Sequence, residues 1–178
     1  MAIEAAGITY THLRSNVWMQ NLVNYHEESI MREGALYLGQ GAGRVSFIDV
    51  RDVGRAAVVA LTKGGHGDRA YTLTGTEAFS YDDVAAVLSR VSGRRIRYVA
   101  LSEEEARRRA LARGAPPFIV EINLNMDEFG RKGGFARITR EFAALTGGEP
   151  IAFERFATEN IEAFGGQNAA PGAREARS

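Results

Sequence analysis

The chain has 178 residues, of which 45% are hydrophobic and 25% are charged, and its 22 basic residues balance its 22 acidic ones. These values are typical of one globular domain, and a formal net charge of zero gives no reason to expect a nucleic acid or an anionic membrane as partner. The absence of cysteine excludes disulfides, thiolate catalysis and Cys-based zinc sites. No apolar run is long enough to span a membrane and the N-terminus does not read as a signal peptide, which favours a cytoplasmic protein.

The first part of the chain predicts a strand followed by a helix. A helix end is expected at the N-terminus, because Gly7 favours the left-handed conformation that terminates helices. Residues 8–13 alternate β-branched and aromatic types, which predicts a strand. Apolar residues at helical spacing then predict a helix over residues 17–32, with Ser15 or Asn16 as its N-cap.

The next segment predicts a hairpin and a second helix. Residues 35–38 and 44–48 are strand-like and are joined by a glycine-rich turn, which is the pattern of a β-hairpin. Asp49 and Asp52 could form an acid/base or metal pair, but capping of the following helix is the favoured interpretation. The expected buried stripe of that helix consists of Val53, Ala56, Ala57, Ala60 and Leu61.

The second half of the chain predicts two more strands and several helices. Strands are expected at residues 70–74 and 95–100, and each is followed by a capping box, at residues 80–83 and 102–105. Further helical segments are predicted at residues 118–129, 137–145 and 153–164. The alternation of strands and helices indicates an α/β fold.

A polar run, residues 14–21, directly follows the first predicted strand. In open α/β sheets, ligands bind beyond the carboxyl ends of strands, so donors here can face an anionic or amide-bearing ligand. The alternative is that Ser15 and Asn16 only cap a helix and that Trp18 only packs. The three histidines lack metal-ligand spacing, so no metal site is predicted.

Two runs, Gly7–Asn21 and Gly41–Val53, together resemble NmrA-like proteins, which are atypical short-chain dehydrogenase/reductase relatives. The segment Tyr71–Gly75, the capping box at residues 80–83 and the strand-like residues 93–99 follow in the order of that family. The resemblance covers about residues 4–164, and it implies the C-terminal part of a Rossmann-like NAD(P)-binding fold with a small helix-rich substrate lobe. Residues 1–164 would form this part, and residues 165–178 would form a disordered tail, because they lack an apolar stripe.

The resemblance also implies an activity and a site. It suggests an NAD(P)H-dependent oxidoreductase that reduces a quinone or another small carbonyl compound, or a fragment of one; the alternative is a non-catalytic NAD(P)-sensing or protein-interaction module. The candidate residues for the nicotinamide side of NADP(H) or NAD(H) are Arg14, Ser15, Asn16, Val17 and Trp18. The candidate substrate-lining residues are Met19, Phe118, Ile122 and Met126.

The chain lacks the glycine-rich loop that holds the dinucleotide phosphates in this family. No G-x-G-x-x-G motif follows a strand, and no tyrosine is followed four residues later by lysine. The sequence therefore predicts that the chain lacks the phosphate-binding half, binds NADPH weakly and is inactive alone. It identifies no catalytic residues. The first strand, lacking an earlier neighbour, predicts self-association or a partner chain.

Overall fold

The computed structural model describes residues 2–167, in which strands and helices are interspersed up to Ala100 and helices follow. The strands are β1 (Thr11–Ser15), β2 (Ala35–Leu38), β3 (Arg44–Val45), β4 (Arg69–Leu73), β5 (Phe79–Ser80) and β6 (Arg97–Ala100). The helices are α1 (Ala2–Ala5), α2 (Asn21–Glu33), α3 (Val50–Thr62), α4 (Tyr81–Ser92), α5 (Glu103–Ala112), α6 (Pro117–Arg131), α7 (Glu141–Thr146) and α8 (Phe153–Glu159), and a 3₁₀ helix (Ile161–Phe164) follows. The α/β class is confirmed; nearly all of the predicted tail lies outside the described residues.

The strands of the described residues pair two by two. β1 and β4 are parallel, with Thr11 opposite Arg69, and β2 and β6 are also parallel. β3 and β5 form a short antiparallel pair. The predicted hairpin of residues 35–48 is therefore wrong, because its two strands belong to different sheets. The intervening loop packs against α6 instead: a Cβ on Gly43 would lie 2.4 Å from the carbonyl oxygen of Gly130, which leaves no room for a side chain.

Two apolar clusters form the interior. The larger one joins α2, β2, α4 and α8, and includes Leu22, Leu36, Leu88 and Phe156. The smaller one lies between the β1–β4 sheet, α3 and α7, and consists of Ile48, Ala56, Leu73, Phe142 and Leu145. The prediction that Leu61 is buried is wrong, since its side chain is 86% exposed. α3 buries the side that carries Ala56, and Leu61 lies outside that contact.

The predicted helix caps are largely confirmed. Ser80 and Ser102 each accept a hydrogen bond from the amide three residues later and complete a capping box. Asp49 caps α3 by accepting from the Arg51 amide. The N-cap predicted at Ser15 or Asn16 is wrong, because α2 begins only at Asn21, after residues 16–19 have paired with other segments.

Candidate functional site

The segment between β1 and α2 is fixed at the carboxyl end of the first sheet. The Asn16 amide donates to the Leu73 carbonyl (2.9 Å) and continues the pairing of β1 with β4. Ile48 then donates to the Val17 carbonyl and accepts from the Met19 amide, both at 3.0 Å, which makes a parallel bridge at Trp18. Residues 14–18 therefore lie where ligands approach an open α/β sheet.

The Asn16 side chain is used within the protein. Its Nδ2 donates to Ser46 Oγ (2.6 Å) and to the Phe135 carbonyl (2.9 Å), and its Oδ1 accepts from the Val17 amide (2.9 Å). Both amide hydrogens are thus engaged, and only one lone pair of Oδ1 remains for a ligand. Ser46, which is fully buried, donates in turn to the Arg137 carbonyl (2.6 Å), so the hydrogen bonds of Asn16 extend to the segment after α6.

Arg14 and Trp18 provide the accessible part of this segment. Trp18 is 42% exposed and its Nε1 donates to Ser15 Oγ (3.0 Å), which fixes the indole against the turn. Arg14 is exposed, and no carboxylate within residues 2–167 pairs with it. The exposed indole can stack on a flat heterocycle, and the Arg14 guanidinium can donate to an anion or an amide. The Val17 side chain is half-buried against the larger core. Val17 can therefore contact a ligand mainly through its backbone.

Gln20 is a positioning residue that the sequence analysis missed. Its Nε2 donates to Asp49 Oδ1 (2.8 Å) and its Oε1 accepts from the Val50 amide (2.9 Å), so it ties the start of α2 to the start of α3. Burial alone raises the pKa of Asp49, but hydrogen bonds from the Arg51 side chain and amide and from Gln20 hold that pKa below its ordinary value. A glutamine just before a helix carries no sequence signal for such a bridge, because its partner lies 29 residues away.

The four candidate substrate residues are not brought together in one place. Met19 is only 2% exposed and packs in the larger core. Phe118, Ile122 and Met126 are 65%, 49% and 44% exposed, and their spacing places them on one face of α6. The structure thus shows an apolar stripe on α6 and, separately, a buried Met19 under the loop after β1.

Asp127 attaches α6 to the rest of the molecule. Its Oδ2 accepts from the Gly39 amide (3.1 Å), and Arg131 donates to the Gly39 carbonyl. Burial raises the pKa of the Asp127 carboxyl, against the opposing effect of these neighbours. This half-buried carboxylate therefore holds the loop after β2, and the apolar stripe of α6 lies beside it.

Within residues 2–167, no helix is long and apolar enough to cross a membrane, and no three His, Asp or Glu side chains are grouped so that they could hold a metal ion.

No family model matches the chain. It is 34% identical to the NAD(P)H azoreductase of Xenophilus azovorans over 163 residues, which are 92% of this chain and 57% of the relative. Among solved structures, it resembles the NADPH-dependent quinone oxidoreductase of Escherichia coli in complex with NADPH, with a TM-score of 0.82, 23% identity, and coverage of 89% of this chain and 56% of that one. NmrA, a negative transcriptional regulator in complex with NAD, gives a TM-score of 0.63 at 19% identity, with coverage of 88% and 53%.

The chain shares its fold with NmrA and with the NADPH-dependent quinone oxidoreductase. It spans just over half the length of the curated relatives that it matches, which is consistent with the C-terminal part of a Rossmann-like NAD(P)-binding fold that the sequence resemblance implies. The structure neighbours at under 25% identity support the fold, whereas the azoreductase similarity extends to the sequence of nearly the whole chain.

Proposed function

We propose that this chain is the C-terminal portion of an NmrA-like, NAD(P)H-dependent oxidoreductase that reduces a quinone or another small carbonyl compound. The observation that carries the proposal is the 34% identity to an NAD(P)H azoreductase over 92% of the chain. The fold shared with an NADPH-dependent quinone oxidoreductase supports it. A cytoplasmic location, expected from the composition, accompanies this proposal.

The proposed nicotinamide wall is the segment from Arg14 to Trp18. Arg14 and the indole of Trp18 are its accessible groups, and Asn16 holds the segment in place through Ser46 and the Phe135 carbonyl. The cofactor supplies the hydride, and these side chains bind and orient its ring. Ser15 fixes the indole, and Val17 contributes its backbone.

The proposed acceptor side consists of two apolar regions. Met19 supports the loop from within the core, and Phe118, Ile122 and Met126 present an apolar stripe on α6. Apolar contacts of this kind suit a flat, uncharged acceptor and exclude water from a hydride-transfer site.

The test joins this chain to the N-terminal portion of the Xenophilus azoreductase and measures NADPH oxidation with menadione. We expect turnover by the chimera and none by the chain alone. In the chimera, Trp18→Ala should raise the KM for NADPH about fivefold, because an aromatic contact is worth about 1 kcal/mol. Tyr25→Ala is the matched control, because Tyr25 is an exposed aromatic residue on α2, outside the proposed site. A folded chimera that neither binds nor oxidises NADPH contradicts the proposal.

A second candidate function is a non-catalytic NAD(P)-sensing regulator. The observation that favours it is the shared fold with NmrA, whose structure contains NAD and which is described as a transcriptional regulator. The same chimera separates the two functions. Binding of NADPH without turnover on any of a panel of quinones and azo dyes would favour the sensor.

We also propose that another chain segment covers the open edge of β1, either from a second copy or from a partner. The far edge of β4 is closed, since Thr139 donates to the Thr72 carbonyl and the Glu141 carboxylate accepts from the Thr72 amide. No strand within residues 2–167 pairs with the far edge of β1, and Ile8 just before it is 60% exposed. An open edge beside apolar surface favours pairing with another chain.

Light scattering after size-exclusion chromatography should show association that grows with concentration. A monomer at every concentration contradicts this proposal.

A further inference from the structure

Helix α6 carries apolar side chains on two opposite faces. Its apolar stripe extends by one turn to Phe129, which is 53% exposed. The complete stripe consists of Phe118, Ile122, Met126 and Phe129. At about 100° per residue, these four side chains lie within an arc of about 80°. The buried residues Val120 and Leu124 lie on the opposite side of the helix. A helix that is apolar on both sides is typically covered on both sides.

The stripe is large enough for an interaction site. Its four side chains expose roughly 400 Å² of apolar surface, because each is about half exposed and a whole aromatic side chain offers about 150–250 Å². The largest apolar patch of a typical monomer has a similar size and is often functional. Two such stripes in contact, together with their polar borders, would bury roughly 1,000 Å², which is close to the smallest area of a specific interface.

The charges that border the stripe are balanced within one copy of the chain. On one border, Glu121 pairs with Arg107 and Glu128 pairs with Lys132. The opposite border carries the uncharged Asn123. Two α6 helices can therefore meet without the repulsion that unpaired carboxylates would cause. A strongly charged partner finds no free charge at these borders, whereas a second copy presents the same neutral borders.

The stripe is also self-complementary. Its two ends are phenylalanines and its middle consists of Ile122 and Met126, so the pattern is nearly the same in both directions. A second α6 in antiparallel orientation places Phe118 beside Phe129 of the other copy, and Ile122 beside Met126 of the other copy. We propose that the stripe binds a second copy of the chain, with the two α6 helices packed antiparallel about a two-fold axis.

This pairing goes beyond the proposed function and does not rest on it. A flat acceptor on the α6 stripe would compete with the second copy, because both use Phe118, Ile122 and Met126. The pairing is measured without NADPH and without an acceptor, so its failure is distinguishable from failure of the proposed function. It leaves the open edge of β1 free, so variants on α6 separate the two contacts.

The first test measures association of the complete chain by sedimentation equilibrium. We expect a monomer–dimer equilibrium with a dissociation constant on the order of 100 μM, because the interface is small. Ile122→Lys, which places like charges near the two-fold axis, should raise that constant at least about tenfold. Tyr25→Lys is the matched control and should leave the constant unchanged, because Tyr25 is a large exposed residue on α2, outside the stripe.

The second test uses the absence of cysteine from the chain. Asn125→Cys introduces a single thiol at an exposed position beside the stripe, close to the proposed two-fold axis. A short bis-maleimide linker should therefore join two copies of this variant, and adding Ile122→Lys should abolish the linkage. Asn24→Cys, at an exposed position on α2, should give little linked dimer under the same conditions. Equal linkage of the two cysteine variants would contradict the proposed contact.

Three further results would overturn the proposal. The first is a chain that stays monomeric up to about ten times the expected dissociation constant. The second is association that Ile122→Lys leaves unchanged, which would assign the contact to another surface such as the open edge of β1. The third is protection of the Asn125→Cys thiol from maleimide in a monomeric chimera with the N-terminal portion of the Xenophilus azoreductase. That protection would show that the added portion, rather than a second copy, covers the stripe.

Discussion

Asp49 has no exposed surface, and four donors hold the pKa of its carboxyl below the ordinary value. Oδ1 accepts from the Arg51 amide, from Arg51 Nε and from Gln20 Nε2, and Oδ2 accepts from Arg51 Nη2 at 2.7 Å. We expect Asp49→Ala to lower the free energy of unfolding by about 1–3 kcal/mol, since it removes a helix cap and the charge-assisted hydrogen bonds from Arg51 and Gln20. Urea denaturation followed by circular dichroism measures this.

The control for that variant is Asp82→Ala. Asp82 also lies in the first turn of a helix, but it is exposed and the Ser80 capping box does not use it. Its removal should cost less than about 1 kcal/mol. Equal losses for Asp82→Ala and Asp49→Ala would contradict the account of Asp49 as the link between α2 and α3.

His26 makes stability depend on pH. Burial, followed by the charge of Arg113, lowers the pKa of His26 from 6.5 to about 4. The unfolded chain therefore takes up this proton first as the pH falls, so stability is fully present above pH 6.5 and declines towards pH 4. The loss should be about 2–3 kcal/mol.

Two histidine variants test the assignment of that pH dependence. Urea midpoints measured from pH 7.5 to pH 4 should fall in the parent chain and should fall much less in His26→Gln. His66→Gln should keep the full decline, although it loses the contact with Tyr71 (2.8 Å). If both variants keep the decline, His26 is not its cause.

At the scale of elements, local features of this fold were predictable from the sequence and pairings were not. A capping box is set by residues three apart, and both boxes are confirmed. The partner of β2 is β6, about 60 residues away, so the glycine-rich loop after β2 was mistaken for a hairpin turn. In the same way, the position of Asn16 after the first strand predicts that it lies at the carboxyl end of β1. Its hydrogen-bond partners Ser46 and Phe135 were not predictable, because they are 30 and 119 residues away.

The two capping boxes should differ in their effect on stability. α4 buries five residues, whereas α5 buries none. Ser80→Ala should therefore lower the global free energy of unfolding by about 1 kcal/mol, because α4 is part of the core. Ser102→Ala should leave the global value nearly unchanged and should speed amide exchange only within α5. Equal global losses in the two variants would contradict this difference in packing.

At the scale of the whole molecule, apolar surface is distributed unevenly. Val58 and Leu61 on α3 are 60% and 86% exposed, and Ile8 before β1 is exposed to a similar degree. α3 contacts β1, so these residues and the open edge of β1 belong to neighbouring elements. The relatives that the chain matches are nearly twice as long as the matched part. This combination suits a surface that another segment covers, and it motivates a test at single amides.

Amide hydrogen exchange measures directly whether the open edge of β1 is covered. Tyr10 and Asn16 bond to β4, so by strand alternation the amides of His12 and Arg14 face β4 and those of Leu13 and Ser15 face the open edge. In dilute solution, His12 and Arg14 should exchange slowly and Leu13 and Ser15 rapidly. At high concentration, or with a covering chain, exchange at Leu13 and Ser15 should slow at least about tenfold, whereas His12 and Arg14 serve as internal controls. Slow exchange of all four in the dilute monomer would mean that the edge is covered by the chain itself; rapid exchange of Leu13 and Ser15 in the assembled state would place the association on another surface.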